Sequence, residues 1–237
     1  MSVHSLKKDL RKYADPKKAK ILQRFFKTGQ GEYGEGDVFL GVKVPDTRRV
    51  AKNHKGEPLE VIDKLIQSEI HEERLLALLL LIEKFNTANP IERQKFFKFY
   101  ITCFPHINNW DLVDLSAPKI VGQYLFGQAK KKQQYLIQLA HSQNLWEKRI
   151  AIISTAFFIQ QNKFGLTLAI SKILLNDQHD LIHKAVGWML REVGKRDIRE
   201  EEEFLKKHYQ KMPRTMLRYA IEKFEEKKRQ DYLKNRI

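Results

Sequence analysis

Apolar residues recur along most of the chain at the three- and four-residue spacing that places them on one face of a helix. Proline, glycine and short polar turns separate these runs. The pattern predicts helices over Ser5–Tyr13, Pro16–Lys27, Pro45–Asn53, Pro58–Gln67, Glu69–Phe85, Pro90–Tyr100, Asn109–Phe126, Lys130–His141, Asn144–Gln161, Leu166–Leu175, Asp180–Gly194, Glu200–Tyr209 and Pro213–Phe224. No alternating run is bounded by hairpin turns, so the chain is predicted to be all-α.

Two segments fall outside this pattern. TGQGEYGEGDVFLG holds five of the eleven glycines between Gly29 and Gly41, which predicts a glycine-rich loop near 28–41. Its spacing differs from that of a phosphate-binding nucleotide loop, and no predicted strand precedes it. The loop either closes over a ligand or connects two helices, and the sequence leaves both interpretations open. The tail, 225–237, is expected to be a solvated helix or a frayed end.

Five of the helical segments can be aligned with one another. EERLLALLL, NNWDLVDLS, EKRIAIIST, IHKAVGWML and MLRYAIEKF share a column, spaced by 34 to 39 residues, that contains Arg74, Trp110, Arg149, Lys184 and Arg218. A period of this length fits two helices and two turns. We therefore predict one domain over 1–237, an α-solenoid of stacked HEAT-like helical hairpins in which the second helices line a concave basic face.

The charge balance narrows the classes of partner. Lys and Arg total 44 against 29 Asp and Glu, which gives a net charge of +15. A protein this basic is expected to bind a polyanionic partner, most often nucleic acid. The competing interpretation is an anionic membrane surface. The sequence has no uncharged apolar run of roughly 18 residues and no signal-peptide core at its start, so a soluble, cytoplasmic protein is expected. Cys103 is the single cysteine, which excludes an intrachain disulfide and predicts a buried thiol.

The candidate chemistry lies in NWDLVDLSAPKIVG. Trp110 and Asp114 stand one helical turn apart, where an indole face and a carboxylate could together hold a cation. Taken alone, the pair is more simply a core aromatic and a capping or solvated carboxylate. In the aligned segments, however, Trp188 follows Lys184 by the same four residues, so indoles and a carboxylate interrupt a basic row. Basic side chains attract phosphates, and indole rings can stack on a nucleic-acid base. A carboxylate repels phosphate, so its presence in this basic row needs another explanation.

The combination of NWDLVDLSAP, NLWEKRIAII and HKAVGWMLREVGK, with RFFK and FLGVKVPDTRRVAK upstream, resembles the AlkD-type DNA glycosylases. These are HEAT-like repeat enzymes that remove alkylated purines from DNA, and the resemblance extends from about Pro16 to about Phe224. It implies that Asp114 is the catalytic carboxylate, that Trp110 and Trp188 flank the nucleotide, and that Arg149 lies beside the carboxylate. It further implies that Arg191 contacts the DNA backbone and that Phe25 occupies the place of a DNA-contacting residue. Together with the basic residues of the repeat column and of the Pro45–Asn53 helix, the predicted DNA-binding residues are Phe25, Arg48, Arg49, Arg74, Lys184, Arg191 and Arg218.

The implied reaction is hydrolysis of the glycosidic bond of purines alkylated at nitrogen 3 or 7. Such a base already carries positive charge and leaves readily, and a carboxylate stabilises the positive charge that develops on the sugar. The resemblance implies a monomeric, monofunctional enzyme without a metal or cofactor, associated with the nucleoid and acting on duplex DNA without deep base flipping. His179 and His183 stand four residues apart but lack a third ligand, in agreement with this expectation.

The sequence departs from the family pattern at two positions. Phe25 stands where a contacting tyrosine is expected, and Leu181 stands where an aromatic residue would have assisted. Two alternatives to the glycosylase stay open. The first is a non-catalytic HEAT-like protein that binds branched or distorted DNA, and the second is a protein-binding scaffold, which the basic row disfavours.

Overall fold

The computed structural model describes residues 3–237. Within that range helices and turns make up the regular structure, apart from one isolated parallel bridge between Val38 and Ile70. The all-α prediction is confirmed. The chain forms two compact units, the first ending at Ser116 and the second spanning Ala117–Ile237. No helix in the described range is long and apolar enough to cross a membrane.

The first unit is built around one buried helix. Its helices are α1 (Val3–Arg11), α2 (Pro16–Phe25), α3 (Val44–Asn53), α4 (Leu59–Ile66), α5 (His71–Thr87), α6 (Pro90–Thr102) and α7 (Trp110–Ala117), with a 3-10 turn at Phe104–His106 before α7. The last residue of α7, Ala117, is the first of the second unit. Helix α5 contacts α3, α4 and α6, and its residues from His71 to Ile82 are all buried. A helix that is apolar on nearly every side is stable only when neighbours cover it, so α5 forms the core of this unit.

The second unit contains the remaining helices. They are α8 (Gln123–Phe126), α9 (Lys130–Ala140), α10 (Leu145–Gln160), α11 (Gly165–Ile173), α12 (Asp180–Gly194), α13 (Ile198–His208), α14 (Arg214–Ala220) and α15 (Glu226–Leu233). Helix α10 packs against α9, α11 and α12, and α12 packs in turn against α13 and α14. Helix α12 approaches α14 closely at Gly187, where an added Cβ would lie 2.4 Å from the carbonyl oxygen of Met216.

Helix positions within the second unit follow the predicted repeat. Arg149, Lys184 and Arg218 each occupy the fifth residue of their helices, α10, α12 and α14. The pairwise packing of successive helices is that of HEAT-like hairpins, as predicted. The concave basic face and the extent of a single domain stay predictions.

Most predicted boundaries lie within two or three residues of the observed ones, and Asp180–Gly194 coincides with α12. The prediction of one helix over Asn109–Phe126 was incomplete. A π turn, Pro118–Gly122, follows α7 because Pro118 has no N–H to donate to the helical ladder. The tail contains the helix that was one of the two expected alternatives, and its Tyr232 is buried.

Candidate functional site

Trp110 and Asp114 lie on the same side of α7, and both side chains are half-buried. The other side of the helix carries the buried residues Leu112, Val113 and Ser116. Behind Ser116, the hydroxyl of Tyr100 lies 2.7 Å from the Ser116 Oγ. Burial raises the pKa of Tyr100, and the nearby charge of Asp114 raises it further, although the Ser116 hydrogen bond opposes this. The predicted pair therefore occupies the accessible side of a helix whose opposite side is anchored in the core.

An aromatic cluster, composed of Phe25, Phe26, Phe39, His71 and Trp110, supports the indole. Phe26 stacks on Trp110 with ring centroids 5.2 Å apart and on Phe39 at 5.0 Å. Phe39 stacks in turn on His71 at 4.5 Å. Stacked and edge-on arrangements are the favoured geometries of aromatic pairs, so the cluster limits the orientations open to Trp110.

Phe25 occupies the outer edge of this cluster. Its ring lies edge-on to Trp110 at 5.9 Å, and 61% of the residue is exposed. Helix α2, which ends at Phe25, has no buried residue. The sequence predicted a DNA contact at Phe25, and the structure places this ring beside the predicted tryptophan with its surface accessible.

The glycine-rich loop is attached to the start of α5 by a buried carboxylate. Glu72 accepts hydrogen bonds from the backbone N–H groups of Leu40, Gly41 and Val42 at 2.8 to 3.1 Å. Gly41 adopts φ +83°, and an added Cβ would lie 2.1 Å from the carbonyl oxygen of Asp15. Both the backbone conformation and the close approach require glycine at this position.

Behind the aromatic cluster lies an ionic cluster formed by Asp37, His71, Arg74, Asn109 and Asp111, in which all but the half-buried Asp111 are buried. The imidazole of His71 contacts Asp37 through Nδ1 at 3.1 Å and Asp111 through Nε2 at 2.8 Å. Arg74 Nη2 donates to Asp37 Oδ1 at 2.6 Å, and Asn109 Nδ2 donates to Asp37 Oδ2 at 3.3 Å. Asp37 therefore links the glycine-rich loop to α5 and to the residue that precedes α7.

Arg74 occupies a different environment from the one its repeat position predicted. The residue is 4% exposed, and its guanidinium also donates to Asn108 Oδ1 and to the carbonyl oxygens of Ser68 and Glu69. A buried guanidinium engaged in this way presents no surface to a DNA phosphate. The repeat alignment predicted that Arg74 belongs to a basic row, but tertiary contacts direct its charge into the protein.

In the second unit, Arg149 is also buried, with 4% of the residue exposed. Its Nη1 donates to the carbonyl oxygen of Leu181 at 2.6 Å, which joins α10 to the first turn of α12. Leu181, the position where an aromatic was expected, contributes this backbone oxygen while its own side chain is buried. Arg149 therefore orients the helix that carries Trp188.

Trp188 is half-buried on α12, and its indole N–H donates to Glu192 Oε1 at 3.1 Å. Glu192 also accepts from Lys195 Nζ at 2.7 Å. Arg191 forms an ion pair with Glu222, and one turn before Trp188 the Lys184 Nζ lies 2.7 Å from Asp180. Lys184, Trp188 and Arg191 thus share α12 and are surrounded by carboxylates from the same unit.

Three further predicted cations lie at the surface. Arg48 and Arg49 are exposed on α3. Arg49 also forms an ion pair with Asp46 at 3.2 Å and lies over the Tyr13 ring at 5.6 Å. Arg218 is exposed on α14, which packs against α12.

The two histidines considered as possible metal ligands, His179 and His183, contact other groups of the protein. The Nδ1 of His179 accepts the backbone N–H of Leu181, and Nε2 of His183 contacts the carbonyl oxygen of Asp177. In the described range, no group of three or more His, Cys, Asp or Glu side chains could hold a metal. Cys103 is buried, as expected, and burial raises the pKa of its thiol to about 12.

The family described as DNA alkylation repair enzyme matches residues 6–224 of this chain. The chain belongs to this family. A solved structure described as a predicted DNA alkylation repair enzyme from Enterococcus faecalis matches with a TM-score of 0.68, at 19% identity, over 90% of this chain and 97% of that one. At that identity the likeness shows a shared fold. No curated protein matches the chain.

The residues that the sequence predicted for the site are distributed over both units. The first brings together Phe25 and Trp110, with Asp114 one turn away, and the second places Lys184, Trp188 and Arg191 on one helix reached by Arg149. Sequence reasoning missed His71, Glu72 and Asp37. The available signal was the run HEER at the start of an otherwise apolar helix, because buried charges need partners.

Proposed function

We propose that this DNA alkylation repair enzyme is a monofunctional glycosylase that hydrolyses the N-glycosidic bond of cationic 3- or 7-alkylated purines in duplex DNA. The alkylated base leaves as a neutral purine, and positive charge develops on the sugar. Asp114 stabilises that charge and orients the attacking water, in the way that carboxylates assist sugar hydrolysis. Water adds to the anomeric carbon and loses a proton, leaving an abasic site.

The observation that carries this proposal is the placement of Asp114 one turn after Trp110 on the accessible side of α7. The indole is held by the stacked ring of Phe26, so its face is oriented before a ligand arrives. An aromatic face and a carboxylate both favour a cation, and neither favours a phosphate. A cationic base or sugar is therefore the ligand class that best fits the pair.

The other residues take supporting roles in the proposal. Trp188 takes the role of flanking the nucleotide that the family resemblance implies, and Arg149 joins α10 to the first turn of α12, the helix that carries Trp188. The proposed contacts with the DNA backbone come from Phe25, Arg48, Arg49, Lys184, Arg191 and Arg218. Arg74 is left out of this set because it is buried and paired with Asp37.

The net charge of +15 supports duplex DNA as the substrate. We propose that the lesion is contacted at its backbone and stays in or near the base stack, without a deep flipping pocket. A monomer that requires no metal or cofactor suffices for this reaction, since the alkylated base is already an activated leaving group.

The test is release of 7-methylguanine and 3-methyladenine from duplex DNA, corrected for spontaneous depurination, by the wild type and by Asp114→Asn. Loss of the carboxylate should slow base release about 100- to 1,000-fold, the range observed when one charge-stabilising group is removed. DNA affinity should survive. Asp63→Asn is the matched control, because Asp63 is a half-buried carboxylate on α4 whose contact with Gln67 an asparagine can retain.

Equal rates for wild type and Asp114→Asn would remove Asp114 from the reaction. Tight, salt-dependent DNA binding without base release from either lesion would contradict the glycosylase. That result would support the alternative, a protein that recognises branched or distorted DNA without catalysis.

A further inference from the structure

His71 lies between two carboxylates that belong to different segments. Its Nδ1 contacts Asp37 in the glycine-rich loop and its Nε2 contacts Asp111 in the first turn of α7. An ionised carboxylate only accepts hydrogen bonds, whereas a neutral imidazole has one N–H to donate. Both contacts are satisfied together when the ring carries two N–H groups. The geometry therefore fits an imidazolium ion.

We propose that protonated His71 is a positioning residue of this enzyme, which holds the first turn of α7 against the glycine-rich loop and thereby orients Trp110 and Asp114. This inference rests on the proposed glycosylase function, because it assigns His71 a task in that reaction. His71 does not touch the DNA, since only 2% of the residue is exposed.

His71 reaches the functional helix by two routes. The ionic route runs through Asp111, the residue adjacent to Trp110. The aromatic route runs through Phe26, whose ring lies 5.1 Å from the His71 ring and 5.2 Å from Trp110. Because both routes end at the first turn of α7, a change in His71 alters the direction of the helix and the support of the indole together.

Asp111 depends strongly on this contact. Among the described residues its other carboxylate oxygen, Oδ1, is buried without a hydrogen-bond partner. A buried carboxylate that loses its main donor pays a large desolvation cost and moves toward solvent. Such a movement would displace Trp110, and Asp114 one turn beyond it.

The charges around His71 favour the protonated form at neutral pH. Burial alone lowers the pKa of His71, but Asp111 and Asp37 outweigh it and raise the pKa to about 9, against an opposing contribution from Arg74. These groups come from every segment in ionic contact with the ring, namely α7, the loop and α5. Titration of His71 should therefore limit activity on the alkaline side.

A purely structural role predicts a different outcome. It would lower the stability of the His71 and Asp111 variants while leaving the chemical step of the folded fraction unchanged. A positioning role lowers the rate of that step at saturating enzyme and changes its pH dependence. Single-turnover kinetics separate the two because they measure the bound complex.

The experiment compares wild type, His71→Phe and Asp111→Asn in single-turnover release of 3-methyladenine between pH 6 and 9.5. Asp63→Asn is the control, and circular dichroism confirms folding of each variant. His71→Phe keeps a ring for stacking but removes both N–H groups. Asp111→Asn keeps the shape of the acceptor, so it maintains the test if His71→Phe does not fold.

We expect both variants to slow base release about 10- to 100-fold, as displacements near 1 Å do in other enzymes. The dissociation constant for undamaged duplex should stay within about twofold, because neither residue contacts the phosphates. Asp111→Asn should shift the alkaline decline of the rate to lower pH, because removing the negative charge lowers the pKa of His71. Unchanged rates and an unchanged alkaline decline in folded Asp111→Asn would overturn the proposal.

A second readout is independent of catalysis. Trp110 is labelled with fluorotryptophan and followed by fluorine NMR as the pH rises, with the signal assigned by Trp110→Phe. In wild type the Trp110 signal should shift with a midpoint above pH 8, and this shift should move to lower pH in Asp111→Asn. A Trp110 signal unaffected over this range would overturn the positioning role. If wild type releases no base but the Trp110 signal titrates as expected, the glycosylase proposal fails while the link from His71 to α7 stands.

Discussion

The two tryptophans proposed to flank the lesion are held by different interactions. Trp110 is supported by a stacked ring, Phe26, and by an edge-on ring, Phe25, with the ionic cluster behind them. Trp188 is held by a hydrogen bond from its indole N–H to Glu192, a carboxylate that also pairs with Lys195. One indole is oriented by packing, and the other by a partly solvated charge.

The two kinds of interaction hold the rings with different precision. Ring stacking inside a packed cluster restricts rotation at low cost in entropy, because the partners are already immobile. A hydrogen bond to a flexible carboxylate is weaker and adapts to a ligand. We infer that Trp110 provides a preformed surface beside Asp114, whereas Trp188 adjusts when DNA binds.

Removing the Phe26 ring should have the greatest effect, because Phe26 packs directly against Trp110. Phe26→Ala should lower the free energy of unfolding by about 3 to 5 kcal/mol, the usual cost of removing a buried phenylalanine. It should also remove the ring that supports Trp110. Denaturant unfolding measures the first effect, and base release by the folded protein measures the second.

The control for Phe26→Ala is Phe158→Ala in the second unit. Phe158 is buried to a similar extent and also has an aromatic neighbour, Phe126. We expect a similar loss of stability with base release nearly unchanged. Equal loss of activity in both variants would mean that the aromatic cluster contributes stability alone.

A smaller effect concerns the ionic cluster and its dependence on pH. The pKa of His71 in the folded protein, about 9, exceeds its ordinary value of 6.5, so the stabilisation is complete below pH 6.5 and is lost as the pH rises through 9. The loss should amount to about 3 kcal/mol. Urea unfolding at pH 6, 8 and 9.5 measures it.

Asp111→Asn shows how much of this pH dependence comes from the contact between His71 and Asp111. Because asparagine cannot stabilise the imidazolium by charge, the variant should be less stable at pH 6 and should lose less stability on going to pH 9.5 than wild type does. Parallel pH dependence in the two proteins would show that the His71–Asp111 pair contributes little to folding.

Removing the hydrogen bond between Trp188 and Glu192 should have a smaller effect than either of the preceding changes. Glu192→Ala removes the acceptor of the indole N–H and should lower stability by about 1 kcal/mol, the typical net value of one hydrogen bond. Base release should fall only slightly if Trp188 adapts to bound DNA as we infer. Glu192→Gln, which keeps an acceptor oxygen, should resemble wild type in both measurements. A loss of activity as large as that of Phe26→Ala would contradict an adaptable Trp188.

The helices and their repeat could be predicted from the sequence. Apolar spacing located most helices within a few residues, because amphipathic periodicity is a local property of the chain. The same spacing aligned Arg149, Lys184 and Arg218 at matching positions of three helices. The resemblance carried by NWDLVDLSAP and HKAVGWMLREVGK pointed to the DNA alkylation repair family, which the match over residues 6–224 confirms.

Which charged side chains face inward depends on tertiary packing. Arg74 and Arg149 share a repeat column with Arg218, yet the first two are buried and the third is exposed. The partner of His71 in the glycine-rich loop lies 34 residues away along the chain, and the one in α7 lies 40 residues away. Periodicity reports which side of a helix is apolar, but the pairing of a buried charge depends on segments brought together by packing. That is why the partners of His71, Asp37 and Asp111, could not be assigned before the fold was known.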